Sequence, residues 1–401
     1  MVLEQRGRKS RTASRTVSLE CTNTILEVSK MHRLPVRWTS FLYDTSGYAD
    51  EARNVLQNLD EEKFEIKIIP AGMQQDTLGI LDDSSRSRLE RLARREDCPN
   101  PVNIIWLPGY YFSRASDARA NIGRTMFETD KIPAAWVNVC DNMDEVWVPT
   151  HFNLETFAAA GVRKDKLFVI PGGVDPDTYS PDSTVMTWPG KKNFNFLSVF
   201  EWHYRKGWDV LLNAYLTGFK KTDDVALILK VNLSFTTMER IQREMHQHVN
   251  SLGFRSDNIP NVLLINQNYT SKEMAALYAA CDAFVLPSRG EGWGRPYIEA
   301  MAAGLPTIGS RWSGQTEFMH DENSYLIDIV GFEEFAPGHP ELRGHRWARP
   351  SVEHTTALMR QIYENREQAR EKGGRARQEI VEKWSWKKAA EKVEHQLERY
   401  S

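Results

Sequence analysis

The chain has 401 residues, 41% of them hydrophobic and 26% charged, with a net charge of -3. That composition is of an ordinary globular protein, and the length predicts two domains or three. The charge offers no general case for binding nucleic acid. No apolar run reaches the roughly 18 residues of a membrane span, and the N-terminus lacks a signal-type apolar core. The four cysteines, Cys21, Cys98, Cys140 and Cys281, are scattered without a C-x-x-C. They suit buried thiols in a reducing compartment better than disulfides or zinc. A cytoplasmic location follows as the expectation, with peripheral membrane contact left open.

Residues 1–34 read as a tail, because "QRGRKSRTASR" carries five basic residues and no acid. It is a solvated end or, less readily, a contact for an anionic surface. "RWTSFLYD" (37–44) is a first strand and "TSG" a turn. "YADEARNVLQNL" is a helix with Ala52, Val55, Leu56 and Leu59 at helical spacing, and "FEIKIIP" (64–70) is the next strand. Strand, helix and strand with short connections predict a parallel sheet. "VNIIWLP" (102–108), "EVWVPT" (145–150) and "LFVIPGG" (167–173) continue it. The Pro-, Gly- and Asp-rich stretch 171–192 has no periodicity and reads as a linker.

The pattern then restarts. "FNFLSVF" (194–200), "VALILKV" (225–231), "NVLLINQ" (261–267), "CDAFVLPS" (281–288) and "LPTIGS" (305–310) are strands, and "GWDVLLNAYLTGF" (207–219) is a helix. "WSWKKAAEKVEHQLERY" closes the chain as a helix, with Ser385 as N-cap and Ala390, Val393 and Leu397 on one face. The result is two α/β halves, 35–180 and 194–380, a connection at 181–193 and a last helical segment, 381–401. Ligands of open α/β sheets bind outside the carboxyl ends of the strands, so the cleft between the halves is the expected site.

One loop there concentrates chemistry. "RGEGWGRPYIEAMAAGLP" (289–306) follows a strand and enters a helix, with Pro296 in its first turn and Gly304 at its end. Helix N-terminal amides favour an anion such as phosphate. Gly290, Gly292 and Gly294 let a ligand approach the backbone. The spacing is G-x-G-x-G, neither a dinucleotide fingerprint nor a P-loop. Glu291 and Glu299 are placed to accept hydrogen bonds from hydroxyls at two ends of one elongated ligand, with Glu299 expected in the first helical turn. The plainer alternative is that Glu299 complements the helix dipole and Glu291 is a solvated turn acid.

The stretch Glu291-Gly-Trp-Gly-Arg-Pro-Tyr-Ile-Glu299 resembles the E-x7-E motif of retaining GT-B glycosyltransferases, above all family four. "WVPTHFNLETFAAAGVRKDKLFVIPGGVDPDTYSP" (147–181), "RKGWDVLLNAY" (205–215) and "SGYADEARN" (46–54) are similar to further parts of that family, over roughly residues 36–400. The resemblance implies two Rossmann-like domains facing across a cleft, with the C-terminal helix crossing back to the first. It implies a nucleoside diphosphate sugar, UDP- or GDP-linked, as substrate rather than a cofactor, and a carbohydrate, glycolipid or protein acceptor. Glu299 would hold the ribose and Glu291 the donor sugar. The amides of Trp293, Gly294 and Arg295 would meet the diphosphate, with Lys206 opposite and Gly47 giving close approach. Fixed cations and amides would stabilise the leaving diphosphate without a metal. Base selection is expected near "LINQNYT", represented by Asn266.

Two positions depart from the family pattern. Glu201 stands where an arginine is usual, so Arg205 is the candidate second cation, against a plain surface role. The first-domain histidine is missing from "GRTMFETDKIP", so Glu128 or Asp130 is the candidate substitute, against a structural role. Asp175-Pro-Asp177 matches a D-x-D metal motif but sits in the linker, as aspartates do in turns. His246-x-His248 points to opposite sides of a helix, so no metal site is expected at either. Trp38, Trp106, Tyr110, Tyr111 and Phe112 are candidates for an acceptor face or for the core. The competing functions are an epimerase or phosphorylase on the same fold, and a non-catalytic binding subunit.

Overall fold

The computed structural model describes residues 33–76, 79–233, 236–335 and 340–401. The basic tail and Cys21 lie outside the described residues. The first half contains β1 (Leu34–Phe41), α1 (Gly47–Asn58), β2 (Phe64–Ala71), α2 (Asp83–Arg94), β3 (Val102–Trp106), β4 (Ala120–Arg124), α3 (Ala134–Asp141), β5 (Glu145–Val148), α4 (His151–Ala160) and β6 (Leu167–Val169). Its six strands form one parallel sheet in the order β2-β1-β3-β4-β5-β6. β1 starts three residues before the expected strand. Leu34, Val36, Trp38 and Ser40 are its buried set. Pro35 is tolerated because it falls near the strand's start.

Residues 170–193 hold no helix or strand beyond the bridge Val174–Ser385. The second half contains β7 (Phe194–Glu201), α5 (Trp208–Gly218), β8 (Val225–Asn232), α6 (Met238–Ser251), β9 (Asn261–Ile265), α7 (Ser271–Ala279), β10 (Ala283–Leu286), α8 (Arg295–Ala302), β11 (Thr307–Ser310) and β12 (Tyr325–Ile327). These strands form a second parallel sheet, β12-β11-β10-β7-β8-β9. An antiparallel hairpin follows, β13 (Ile329–Glu334) and β14 (Arg346–Pro350), then α9 (Val352–Glu364), α10 (Arg366–Lys383) and α11 (Trp386–Glu398).

α9 and α10 pack on the second domain, and α11 returns to the first, against α1. Ser385 caps α11 by accepting from the Lys388 amide. Trp386, Ala389, Ala390, Val393 and Leu397 enter the first-domain core beside Trp38 and Trp106. Each large apolar side chain removed from water contributes about 1.5–3 kcal/mol as an upper figure. Buried Glu145 on β5 reinforces this docking by accepting from Gln396 at 2.7 Å, Arg399 at 3.2 Å and Tyr400 at 2.8 Å.

The aromatic candidates divide. Trp38 and Trp106 stack at 4.8 Å inside the core, and Phe112 is buried. Tyr110 and Tyr111 are exposed. Cys140 and Cys281 are free and buried, Cys98 is half-buried, and burial pushes the Cys140 thiol up to about 12.

Candidate active site

The carboxyl ends of both sheets face one cavity of about 660 Å³, within the usual range for a ligand of drug size. The first domain supplies residues 44–48, Glu51, Met126 and Glu128. The second supplies Glu201, Arg205, Lys206, Lys230, residues 291–296 and Glu299.

The basic turn is fixed by its glycine. Gly207 has φ 70° and ends the short turn Tyr204–Lys206 as α5 begins. A Cβ there would lie 1.9 Å from the Pro287 carbonyl oxygen, so no other residue fits without moving the strand end. This turn sets Lys206 against the glycine loop. Its ammonium donates to both Glu291 carboxylate oxygens, at 2.7 and 2.8 Å. Burial pushes the Glu291 carboxyl up, but Lys206 and Arg205 outweigh it and hold the group below the usual range. Burial lowers Lys206, and Glu291 offsets only part of that.

Arg205 is not a surface arginine. It donates to the Gly290 carbonyl at 2.7 Å and lies 3.4 Å from both Glu291 and Glu128, joining the second domain to the first. Asp130, the other candidate for the missing histidine, instead pairs with Arg346 of the β13–β14 hairpin at 2.9 Å. It lies outside the cavity lining.

Glu299 is the fifth residue of α8, so it opens the second turn rather than sitting in the first. Gly294 and Pro296 define the helix start: Pro296 carries no N–H, and the Tyr297 and Ile298 amides donate to the Gly294 carbonyl, so the Arg295 amide is the first-turn donor with no intrahelical acceptor. Glu299 accepts from Arg295 at 3.1 Å and from the Tyr278 hydroxyl at 3.0 Å. Burial raises its carboxyl above the ordinary value, and Arg295 opposes that rise. Arg295 also pairs with Asp50 of α1 at 3.0 Å, across the cleft.

The loop glycines serve a use beyond ligand approach. A Cβ at Gly290 would stand 2.0 Å from the Glu128 carbonyl oxygen, and one at Gly292 would stand 2.6 Å from the Met126 sulfur. These two positions let the domains meet. Gly47, by contrast, has open space and lines the cavity. The Trp293 side chain is buried against Phe318 and Trp384, so only its backbone is available to a ligand.

Asn266 requires correction. β9 ends at Ile265, two residues before the expected strand end, and Asn266 is exposed outside the cavity lining. Asn268 and Tyr269 line the cavity instead. Sequence reasoning also missed Asp50, Glu51 and Lys230. The signal for Lys230 was present, since a lysine inside "VALILKV" is anomalous in a buried strand.

Asp175 accepts from the amides of Asp177 and Thr178 and from the Thr178 hydroxyl, closing a turn, while Asp177 is exposed. Among the described residues no group of three or more metal-ligating side chains converges.

Two facing parallel α/β domains, a cleft at their strand ends and a helix crossing back define the GT-B fold. Residues 191–337, which include the whole second sheet, match the family model described as glycosyl transferases group 1. Among solved structures, Anabaena HepE in complex with UDP and glucose aligns with TM-score 0.66 at 14% identity, covering 92% of this chain and all of that one. A glycosyltransferase from Rickettsia africae aligns with TM-score 0.61 at 14% identity, covering 92% and 98%. At these identities the likeness is one of fold. Among curated relatives, mannosylfructose-phosphate synthase of Agrobacterium fabrum is 26% identical over 37% of this chain and 33% of its own length. Sulfoquinovosyl transferase of Arabidopsis thaliana is 32% identical over 32% of this chain and 22% of its own. The match thus spans a third or less of either relative. A GDP-mannose-dependent phosphatidylinositol monomannoside mannosyltransferase of Mycobacterium tuberculosis is 22% identical over 63% of this chain and 61% of its own length.

Proposed function

We propose that the chain is a retaining, metal-independent glycosyltransferase that moves a hexose from a UDP- or GDP-linked donor to an acceptor hydroxyl. The observation that carries this is the pair of buried carboxylates, Glu291 held by Lys206 and Glu299 held by Arg295, on either side of the α8 N-terminus. The relatives' names add nucleotide-sugar transfer, and the E-x7-E resemblance adds retention.

Glu299 takes the ribose hydroxyls and Glu291 those of the hexose. The amides of Trp293, Gly294 and Arg295 receive the diphosphate. As the glycosidic bond breaks, charge builds on the leaving diphosphate, and Lys206 shifts its interaction from Glu291 toward it. Such fixed electrostatic stabilisation grows in the transition state. Arg205 orients Glu291 and Glu128. The acceptor, a carbohydrate, glycolipid or protein, enters from the first-domain side, where Tyr110 and Tyr111 are exposed. Among the described residues no helix is long and apolar enough to cross a membrane, and peripheral contact suits a glycolipid acceptor.

A panel of UDP- and GDP-sugars, each incubated without acceptor, tests the reading. Slow release of nucleoside diphosphate from one or a few donors, lost in Glu299→Ala, is expected. Release from none, or turnover that needs inorganic phosphate, refutes it.

A further inference from the structure

Four cations line the cavity: Arg205, Lys206, Lys230 and Arg295. Three of them are already matched by carboxylates in the protein. Lys206 pairs with Glu291, Arg205 with Glu291 and Glu128, and Arg295 with Asp50 and Glu299. Among the described residues Lys230 has no carboxylate within ion-pair distance. Its ammonium donates one long hydrogen bond, 3.4 Å, to the neighbouring Val231 carbonyl, and lies 5.5 Å from the Tyr269 ring centroid.

The position is internal. Lys230 is 8% exposed, on β8 between β7 and β9, in register with Val199 of β7. Period-two alternation turns residue 230 to the same face as Glu201 and Asn232, and all of them line the cavity. Burying an ammonium without a counter-charge is costly, and burial lowers this one's proton affinity. A cation kept there against that cost calls for an anion that arrives with the ligand.

We infer that Lys230 is a donor-binding residue that meets the diphosphate of the nucleotide sugar, the task the sequence reading gave to Arg205. This rests on the function proposed above. Arg205 is engaged by the Gly290 carbonyl and two carboxylates, and the nearby Glu201 on the cavity wall adds a further negative charge that acts on it. Lys230 restores a cation on the same face, one strand over. Tyr269, within cation–π range of its ammonium and at the mouth of β9, places the nucleoside on the far side of Lys230 from Lys206.

The test is calorimetric titration of the wild type and Lys230→Met with UDP, GDP, uridine and guanosine. The substitution conserves volume, so the sheet should survive it. Loss of one charged hydrogen bond should weaken nucleoside diphosphate binding about ten- to hundredfold while leaving nucleoside binding unchanged. Unchanged diphosphate affinity overturns the inference. Equal weakening of nucleoside and diphosphate also overturns it, since the lysine then reads the base. A wild type that binds neither diphosphate instead refutes the proposed function itself. Should Lys230→Met fail to fold, amine acetylation of the wild type, read by mass spectrometry, decides. Lys230 should be protected by UDP or GDP and not by the nucleosides, and identical labelling overturns the assignment.

Discussion

Lys206→Met removes one cation from a buried pair and separates two roles that the geometry combines. Lys206 holds both oxygens of Glu291 at 2.7 and 2.8 Å, so it is at once a counter-ion and the candidate stabiliser of the leaving diphosphate. Breaking a buried pair costs about 3–5 kcal/mol. Arg205 remains 3.4 Å from the orphaned carboxylate, which puts the loss near the lower end, about 3 kcal/mol. Removing a group that serves a developing charge costs roughly 10²–10³ in turnover, about 2.7–4 kcal/mol of barrier. The two effects come apart in a double-mutant cycle with Glu291→Gln, a neutral side chain that still bonds to hydroxyls. Melting temperature should fall in Lys206→Met and recover in the double variant, because no carboxylate is left unpaired. Turnover should not recover: the double variant should stay at least a hundredfold below Glu291→Gln alone. Steady-state kinetics and thermal melting on the four proteins supply the comparison. Equal kcat in the double variant and Glu291→Gln would show that Lys206 only neutralises Glu291, and the leaving-group role would be refuted.

Arg205→Met removes the bridge between Glu128, Glu291 and the Gly290 carbonyl. It should lower kcat at least tenfold, and near-wild-type kinetics would return Arg205 to a purely packing role. Glu299→Ala should weaken UDP or GDP binding about tenfold or more, the worth of a charged hydrogen bond, with the fold intact by circular dichroism. The same carboxylate predicts a pH dependence. Burial raises the Glu299 carboxyl above its unfolded value of 4.5, so on acidification it takes up a proton in the native state first. Its charge therefore costs stability above the folded pKa, and that cost is relieved as pH falls. Ligand affinity moves the other way, because the protonated group no longer accepts two ribose hydrogen bonds. Titrations carried down from neutral pH should show the wild-type affinity approaching that of Glu299→Gln as the carboxyl takes up its proton, and equal affinity of the two proteins at neutral pH would reject the ribose contact. Activity should survive EDTA; its loss and restoration by manganese or magnesium would give Asp175 or Asp177 a metal role.

The second domain was legible because its chemistry follows local punctuation. A strand, three glycines, a proline at the helix start and a glycine past its end specify the 289–306 loop from within eighteen residues. Gly207 likewise announces the basic turn. β4 was missed for the opposite reason. "ANIGR" ends in a glycine and an arginine and reads as loop, yet it is a buried strand paired on both sides by β3 and β5, where Arg124 finds Glu51, which also accepts from Trp106 at 3.0 Å. The β13–β14 hairpin and α2 were also missed. Lys230 was absorbed into a strand whose period fitted without it.

Several charges that the sequence left open are settled by a partner far along the chain. Asp50 meets Arg295, Glu128 meets Arg205 and Asp130 meets Arg346, each across the two domains. Local pattern identifies which side chains reach the cleft but not which are neutralised there. Among the cavity-lining cations this distinction decides function, since a paired cation must release its carboxylate before it can serve a phosphate. Lys206 has that exchange available in Glu291, and the two partners of Arg205 make it the poorer candidate. Lys230 needs no exchange, which gives it the lower cost of binding an incoming anion.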